Sequence, residues 1–236
     1  MKRHTFFFCL IATLLPAQAL APEVEITAEP HHHLTFENKS VRVFNVEVPP
    51  QASTLMHWHR HDYIYVTLGD TELINAVKDK PPITVKLQDG ETRFSPSTFA
   101  HIARNVTDRP FRNVTIEILE DETLRNSAAN GNVKWDEDRA LEILQGGTKQ
   151  ILFVKDGIRA TEFELQPNGV VPKHHHTGPH LLVAVTDLDI RSDVEGMGPM
   201  PGHFKSGDSK WLPGNYSHTI TNTGPKPAKF VTLEFP

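Results

Sequence analysis

The sequence predicts an all-β protein made of two tandem copies of one antiparallel sandwich or barrel. Three observations carry this: the chain matches itself at a constant offset of 117 residues, strand-like alternation recurs through both matching halves, and turn residues separate those segments at short intervals.

The repeat governs how everything after Pro30 is read. His57, His59, Gly90, Pro96, His101 and Asn105 recur as His174, His176, Gly207, Pro213, His218 and Asn222. In the same register Phe36, Arg42, Glu47, Pro50, Val66, Asp70, Pro110, Val114, Thr115 and Glu117 meet the same residue 117 positions later. So large an offset marks a duplicated domain, not a solenoid. The expected layout is a signal segment over 1–19, an N-terminal segment over 20–30, a first barrel over 31–122, a linker over 123–146 and a second barrel over 147–236.

Strands are expected where β-branched and apolar residues alternate with polar ones: 41–48 (VRVFNVEV), 63–68 and 112–119 in the first half, and 181–185 and 229–235 in the second. Pro49-Pro50, Gly69-Asp70, Asp89-Gly90, Pro167-Asn168-Gly169 and Gly214-Asn215 supply the turns. Only the connector offers a helix. After a loop-like stretch at 126–132, residues 136–145 combine an acidic start, Leu141 and Leu144 spaced three apart, and a Gly146-Gly147 stop.

Lys2 and Arg3, an apolar run over 6–15 and then Ala17-Gln18-Ala19 read as a secretory signal peptide cleaved near Ala19, which predicts a secreted or periplasmic protein. The run is too short to span a bilayer, so no membrane partner is expected after cleavage. Cys9, the only cysteine, lies inside it. The mature chain therefore has no disulfide and no thiolate metal site, and any metal must be held by nitrogen and oxygen.

With 24 Lys+Arg against 29 Asp+Glu the net charge is −5, and the basic residues form no stripe, so nucleic acid is not an expected partner. No nucleophile motif, phosphate-cradling loop or dinucleotide fingerprint is present, which argues against serine-hydrolase, kinase and Rossmann chemistry.

Histidine is the compositional outlier, with 14 residues. His174 and His176 lie two apart in an extended segment and project to one face, as two imidazoles binding one metal ion must. His180 keeps that parity if the segment stays extended, and His218 arrives from another strand. His57, His59 and His101 repeat the arrangement, with Tyr63 at the position of His180 and Asp62 beside it. His61 and His175 have the wrong parity and read as surface or supporting residues. His31, His32 and His33 read as an exposed run, with metal binding, which histidine tracts can perform, as the alternative.

These residues resemble the cupin superfamily, whose motifs are G-x5-H-x-H-x3,4-E-x6-G and G-x5-P-x-G-x2-H-x3-N. Gly90, Pro96, His101 and Asn105, and again Gly207, Pro213, His218 and Asn222, match the second motif at every spacing, with Thr98 and Asn215 at its inner glycine. The first motif keeps both histidine pairs and lacks the glutamate in both halves. The chain thus looks like a bicupin, which implies two tandem jelly-roll barrels with a short connecting helix. The resemblance implies a divalent metal at His174, His176, His180 and His218 in the second half, and at His57, His59 and His101, with Asp62 as a weakly favoured fourth ligand, in the first. Imidazole ligation suits iron, zinc, nickel or copper better than manganese.

A site without the anionic glutamate favours an anionic, small-molecule substrate in its open positions. Cupins include dioxygenases, decarboxylases, isomerases and lyases. All-histidine sites among them are associated with oxygen chemistry, so a dioxygenase-like metalloenzyme is the leading expectation and a non-catalytic ligand-binding or metal-binding bicupin the alternative. Association through strand edges makes a homodimer an expected form. Arg93 with Lys210, and Phe94 with Trp211, recur just before each motif proline as a grip for an anionic ligand or as a rim charge beside a core aromatic, and Arg42 and Arg159 recur as structural ion-pair partners.

Overall fold

The computed structural model describes residues 22–119 and 141–236. The expected signal peptide, and the linker up to residue 140, lie outside the described residues.

In the first half, ten strands follow one another: β1 (Val24–Glu25), β2 (His32–Glu37), β3 (Val41–Val48), β4 (His57–His59), β5 (Tyr63–Thr67), β6 (Thr71–Val77), β7 (Ile83–Leu87), β8 (Thr92–Ser95), β9 (Phe99–Asn105) and β10 (Phe111–Ile118). They form two sheets, in the orders β1-β4-β9-β6-β7 and β2-β3-β10-β5-β8. The second half has β11 (Leu141–Lys155), β12 (Ile158–His176), β13 (His180–Ala184), β14 (Leu188–Val194), β15 (Gly198–Phe204), β16 (Ser209–Leu212), β17 (Tyr216–Asn222) and β18 (Ala228–Glu234). These make one barrel-like sheet in the order β15-β14-β17-β12-β18-β13-β16, with β11 on β12. Apart from a single 3-10 turn at Ile26–Ala28, no helix occurs among the described residues.

The repeat is carried into the structure strand by strand. β5, β6, β8 and β9 reappear 117 residues later as β13, β14, β16 and β17 with both ends in register, while β12 runs through the segments that are β3 and β4 in the first half. Thr98 and Asn215, which replace the motif glycine, both hold positive φ, 72° and 62°. Asparagine tolerates that conformation, whereas a β-branched threonine holds it only under strain.

Two expectations about boundaries change. Residues 141–145 begin β11 and are not a helix: Leu144 alone among them is buried, packing with Leu165, Val171 and Ile220, because pairing of β11 with β12 supplies the partner that the local sequence does not reveal. The N-terminal segment belongs to the first half, since Val24 pairs with His57 in parallel and Ile26 joins a core with Phe44 and Leu73.

Each half has an inner core, and a third apolar cluster joins them. Val41, Val43, Ile64, Val66, Val114 and Ile116 pack with their 117-residue counterparts Ile158, Ala160, Leu181, Val183, Val231 and Leu233. The rim contacts are reciprocal too. The Arg112 guanidinium donates to the Ser206 carbonyl at 2.8 Å, and Lys229 Nζ, 117 residues on from Arg112, donates to the Asp89 carbonyl at 2.9 Å. The same two repeat registers supply both contacts, each half donating to a carbonyl of the other. Phe94 and Trp211 pack against this shared core, so they serve as core aromatics and not as a ligand grip. Leu233 is fully buried there. Leu233→Ala is expected to cost about 2–5 kcal/mol in denaturant unfolding, and because the cluster draws on both halves, the loss should shift one common transition.

Candidate metal centres

Strand pairing brings the predicted histidines together. β4 lies antiparallel to β9 with His57 opposite His101, and β12 lies antiparallel to β17 with His174 opposite His218. Alternation along β4 and β12 adds His59 and His176 on the same face. Two three-histidine clusters result: His57, His59 and His101, and His174, His176 and His218.

The Nε2 atoms are the converging ones. In the second cluster His174–His176, His176–His218 and His218–His174 are 3.1, 3.1 and 3.0 Å apart. In the first, His59–His101 and His57–His101 are 3.1 and 3.0 Å apart. The Nδ1 atoms face outward. His57 and His174 donate from Nδ1 to the carbonyls of Leu55 and Pro172, each at 2.9 Å, and His176 Nδ1 is 3.2 Å from the Glu234 carboxylate. His101 Nδ1 meets Asn75 Oδ1 and His218 Nδ1 meets Ser192 Oγ, both at 2.7 Å.

A carbonyl or carboxylate only accepts, so the proton sits on Nδ1 and Nε2 carries a lone pair. His174 and His176 cannot then hydrogen-bond each other; their lone pairs meet at 3.1 Å, an arrangement that a cation between them stabilises. Nitrogens about 2.1 Å from one ion and 3.0–3.1 Å apart subtend about 95° at it, nearer the roughly 90° of an octahedral face than the roughly 109° of a tetrahedron. The donor set fits a divalent metal that retains open positions.

The fourth ligands expected from sequence are placed elsewhere. His180 lies flat on His176, ring centroids 3.8 Å apart and 13° from parallel, with Nε2 3.3 Å from the Tyr216 hydroxyl. The reason is local: β12 ends at His176 and β13 begins at His180, so the turn between them breaks the parity that a continuous strand would have kept. Tyr63, its counterpart, stacks on His59 in the same way, at 4.1 Å and 19°. Asp62 accepts from the Ser97 amide at 2.6 Å and fastens the turn before β9. Neither His180 nor Asp62 joins a cluster. The supporting residues carry no motif of their own in the sequence. Asn75 and Ser192 occupy one repeat register, as do Glu117 and Glu234, which pair with Arg42 and Arg159 as the recurrent arginines suggested.

Burial disfavours protonation of His57, His59, His101, His174, His180 and His218. It pushes His57 down to about 4, with the nearby His32 adding to the effect, and His218 down to about 3, with His174 and His176 adding to it. His59 and His101 are driven well below the ordinary imidazole value for the same reason. The unfolded chain therefore binds more protons than the folded one from about pH 6.5 down to about 3. Stability is full above pH 6.5 and should fall steadily below it, which a series of thermal melts between pH 7.5 and 4.5 would read.

The centres differ in the space around them. The first opens on about 80 Å³, lined by Tyr63, Tyr65, Leu73 and Asn75 as well as its histidines. The second opens on about 220 Å³, where Arg159, Lys149 and Lys173 join the imidazoles.

An antiparallel β-barrel chain with paired histidine clusters at its strand ends is the class these features define. A variant of oxalate decarboxylase from Bacillus subtilis superposes with a TM-score of 0.61 at 12% identity, covering 89% of this chain and 76% of that one. Another variant of the same enzyme gives 0.60 over the same shares, also at 12% identity. A third structure of that enzyme, whose subject is its Mn(II) centres, gives 0.60, again at 12% identity and with the same coverage. The fold is the cupin fold. No protein-family model and no curated protein matches the chain.

Proposed function

We propose that this chain is an exported, metal-dependent bicupin enzyme acting on a small organic anion at the second centre. The observation that carries the reading is the convergence of three Nε2 atoms at 3.0–3.1 Å, those of His174 and His176 held as lone pairs by their Nδ1 partners, on a cavity large enough for a compact acid. Three neutral imidazoles leave the charge of a divalent ion uncompensated, so an anion is the favoured occupant of the open face. A bound ion would supply Lewis acidity and, if redox-active, electrons for oxygen chemistry.

The chain's own groups hold and orient. His174, His176 and His218 are the donors. Glu234 keeps the His176 proton on Nδ1, Ser192 fixes the His218 ring, and Lys149 and Lys173 line the cavity in ion pairs with Glu142 and Glu195. A short organic acid such as oxalate is the proposed occupant of this space, and the proposed reaction class is of the oxygenase, lyase or isomerase type. Manganese stands on equal terms with iron, zinc, nickel and copper, since open octahedral positions suit it and the similar structures include one with Mn(II) centres. The narrower first centre supports a binding role for that half, so the non-catalytic reading applies there.

Elemental analysis of untagged protein, coupled to screens of oxygen uptake and carbon dioxide release on short organic acids and diketones, tests the reading. About one or more equivalents of a transition metal, with turnover lost in His218→Ala, is expected; less than about a tenth of an equivalent after growth in metal-replete medium overturns it. Export is tested by the mature N-terminus, expected at residue 20.

A further inference from the structure

The first cavity holds an imidazole that has no counterpart at the same repeat register in the second, where Lys149 stands instead. His32, on the edge strand β2, lines it beside His57, His59 and His101, with its side chain 5% exposed. The His32 and His57 rings are 4.7 Å apart and tilted by 56°. Rings within the clusters relate in the same way, at 4.5 Å and 59° for His57 and His101, and at 4.5 Å and 55° for His174 and His218. His32 Nδ1 is 2.6 Å from the Glu29 carboxylate, which leaves Nε2 as the nitrogen available to a ligand.

Glu29 is a built support. It is 2% exposed and also accepts from the amides of His31 and Leu55, at 2.8 and 3.1 Å. The Leu55 carbonyl in turn accepts from His57 Nδ1. One buried carboxylate therefore seats His32 directly and His57 through a single residue. In the second half Glu29, His32 and Leu55 are replaced by Gly146, Lys149 and Pro172. Carboxylate, imidazole and amide N–H are all missing there, while the carbonyl that His174 needs is kept. Lys149 instead pairs with Glu142 at 2.9 Å. Three coordinated differences point to a role confined to the first centre.

We propose that His32, seated by Glu29, is the fourth nitrogen donor of the first metal centre, which is thereby an all-imidazole site with a buried carboxylate behind it. This rests on the metal reading above and makes the first centre the tighter and more closed of the two. The donor nitrogen of His32 stands outside the three that lie within 4.8 Å of one another. β2 is an edge strand with a register shift between Leu34 and Phe36, and a bound cation would draw the ring inward from its seat on Glu29. The Glu29 charge, one imidazole removed, offsets part of the charge of the ion and fixes the orientation of the His32 ring.

The test is titration of Co(II) into the full-length chain carrying His174→Ala and His218→Ala, which removes the second centre. In that parent His32→Phe, which keeps a ring against Phe44, should weaken Co(II) binding at least about tenfold and change its visible absorption, and Glu29→Gln should weaken it by about 10–100-fold. His101→Ala should abolish uptake. Thermal melts report folding, and His32→Gln replaces His32→Phe if the latter does not fold. Unchanged Co(II) affinity and spectrum in the His32 and Glu29 variants overturn the proposal. A parent that takes up no Co(II) overturns the metal reading of the first centre, and the role of His32 with it, while uptake by the unsubstituted chain decides the reading of the second centre separately.

Discussion

Alanine in place of His218 is expected to lower the divalent-metal affinity of the second centre by more than about a hundredfold while the first centre keeps its ion. His218 supplies two of the three short edges of its cluster, at 3.1 Å to His176 and 3.0 Å to His174. Without it the ion retains two donors from one strand and loses the face that fixes its geometry. Ser192→Ala provides the internal scale. It removes only the partner of His218 Nδ1 at 2.7 Å, and loss of such a supporting group costs about 10–100-fold in affinity. The order His218→Ala, then Ser192→Ala, then the parent chain should appear in calorimetric titrations with Mn(II). It should appear again in thermal shifts, because an ion at a hundred times its Kd stabilises the folded state by about 2.7 kcal/mol. Two undiminished equivalents in His218→Ala would refute the assignment of this cluster as a metal centre. Loss of both equivalents would mean that the two centres are not separate.

The repeat made most of the fold readable in advance. Strand alternation and turn residues located segments, and the 117-residue offset tied one half to the other, so that β5 and β13, or β9 and β17, support each other's assignment. The histidines that the structure gathers into threes were visible because an extended segment fixes side-chain parity over two residues. What could not be read depends on pairing between distant segments. His180 was placed by parity across a turn that ends one strand and begins another. Leu141 and Leu144 suit a helix locally, and only the partner strand β12 makes them β. His32 looked like part of an exposed tract, since nothing near it in sequence says that β2 lies beside β3 with His32 opposite Val46, over the first cavity. The signal that could have found it was Glu29, an acidic residue three positions ahead, present in this half and absent from the other.

Arg159→Met is expected to destabilise the protein by about 3–5 kcal/mol at neutral pH, because it leaves a buried carboxylate without its guanidinium. Glu234 is 5% exposed at its side chain and is held between Arg159 and His176 Nδ1. Burial raises its pKa, but the His176 bond and the Arg159 charge outweigh burial and hold it below the usual carboxylate range. The sign follows. In the parent chain this group contributes stability above its unfolded pKa, near 4.5, and loses that contribution as pH falls through and below that value. In Arg159→Met the carboxyl prefers to be neutral, so the cost of the substitution should be largest near pH 7 and shrink towards pH 4. Arg42→Met is the matched control. Its partner Glu117 is just as buried, but burial already pushes that carboxyl upward against the pull of His61 and Arg42, and no cluster histidine bonds to it. Burial therefore already opposes the Glu117 charge in the parent chain, and the first-half substitution should cost less than the second. Urea unfolding of both variants at pH 7 and pH 5 reads the difference directly. Equal costs at the two pH values would show that the guanidinium acts through packing and not through its charge on Glu234.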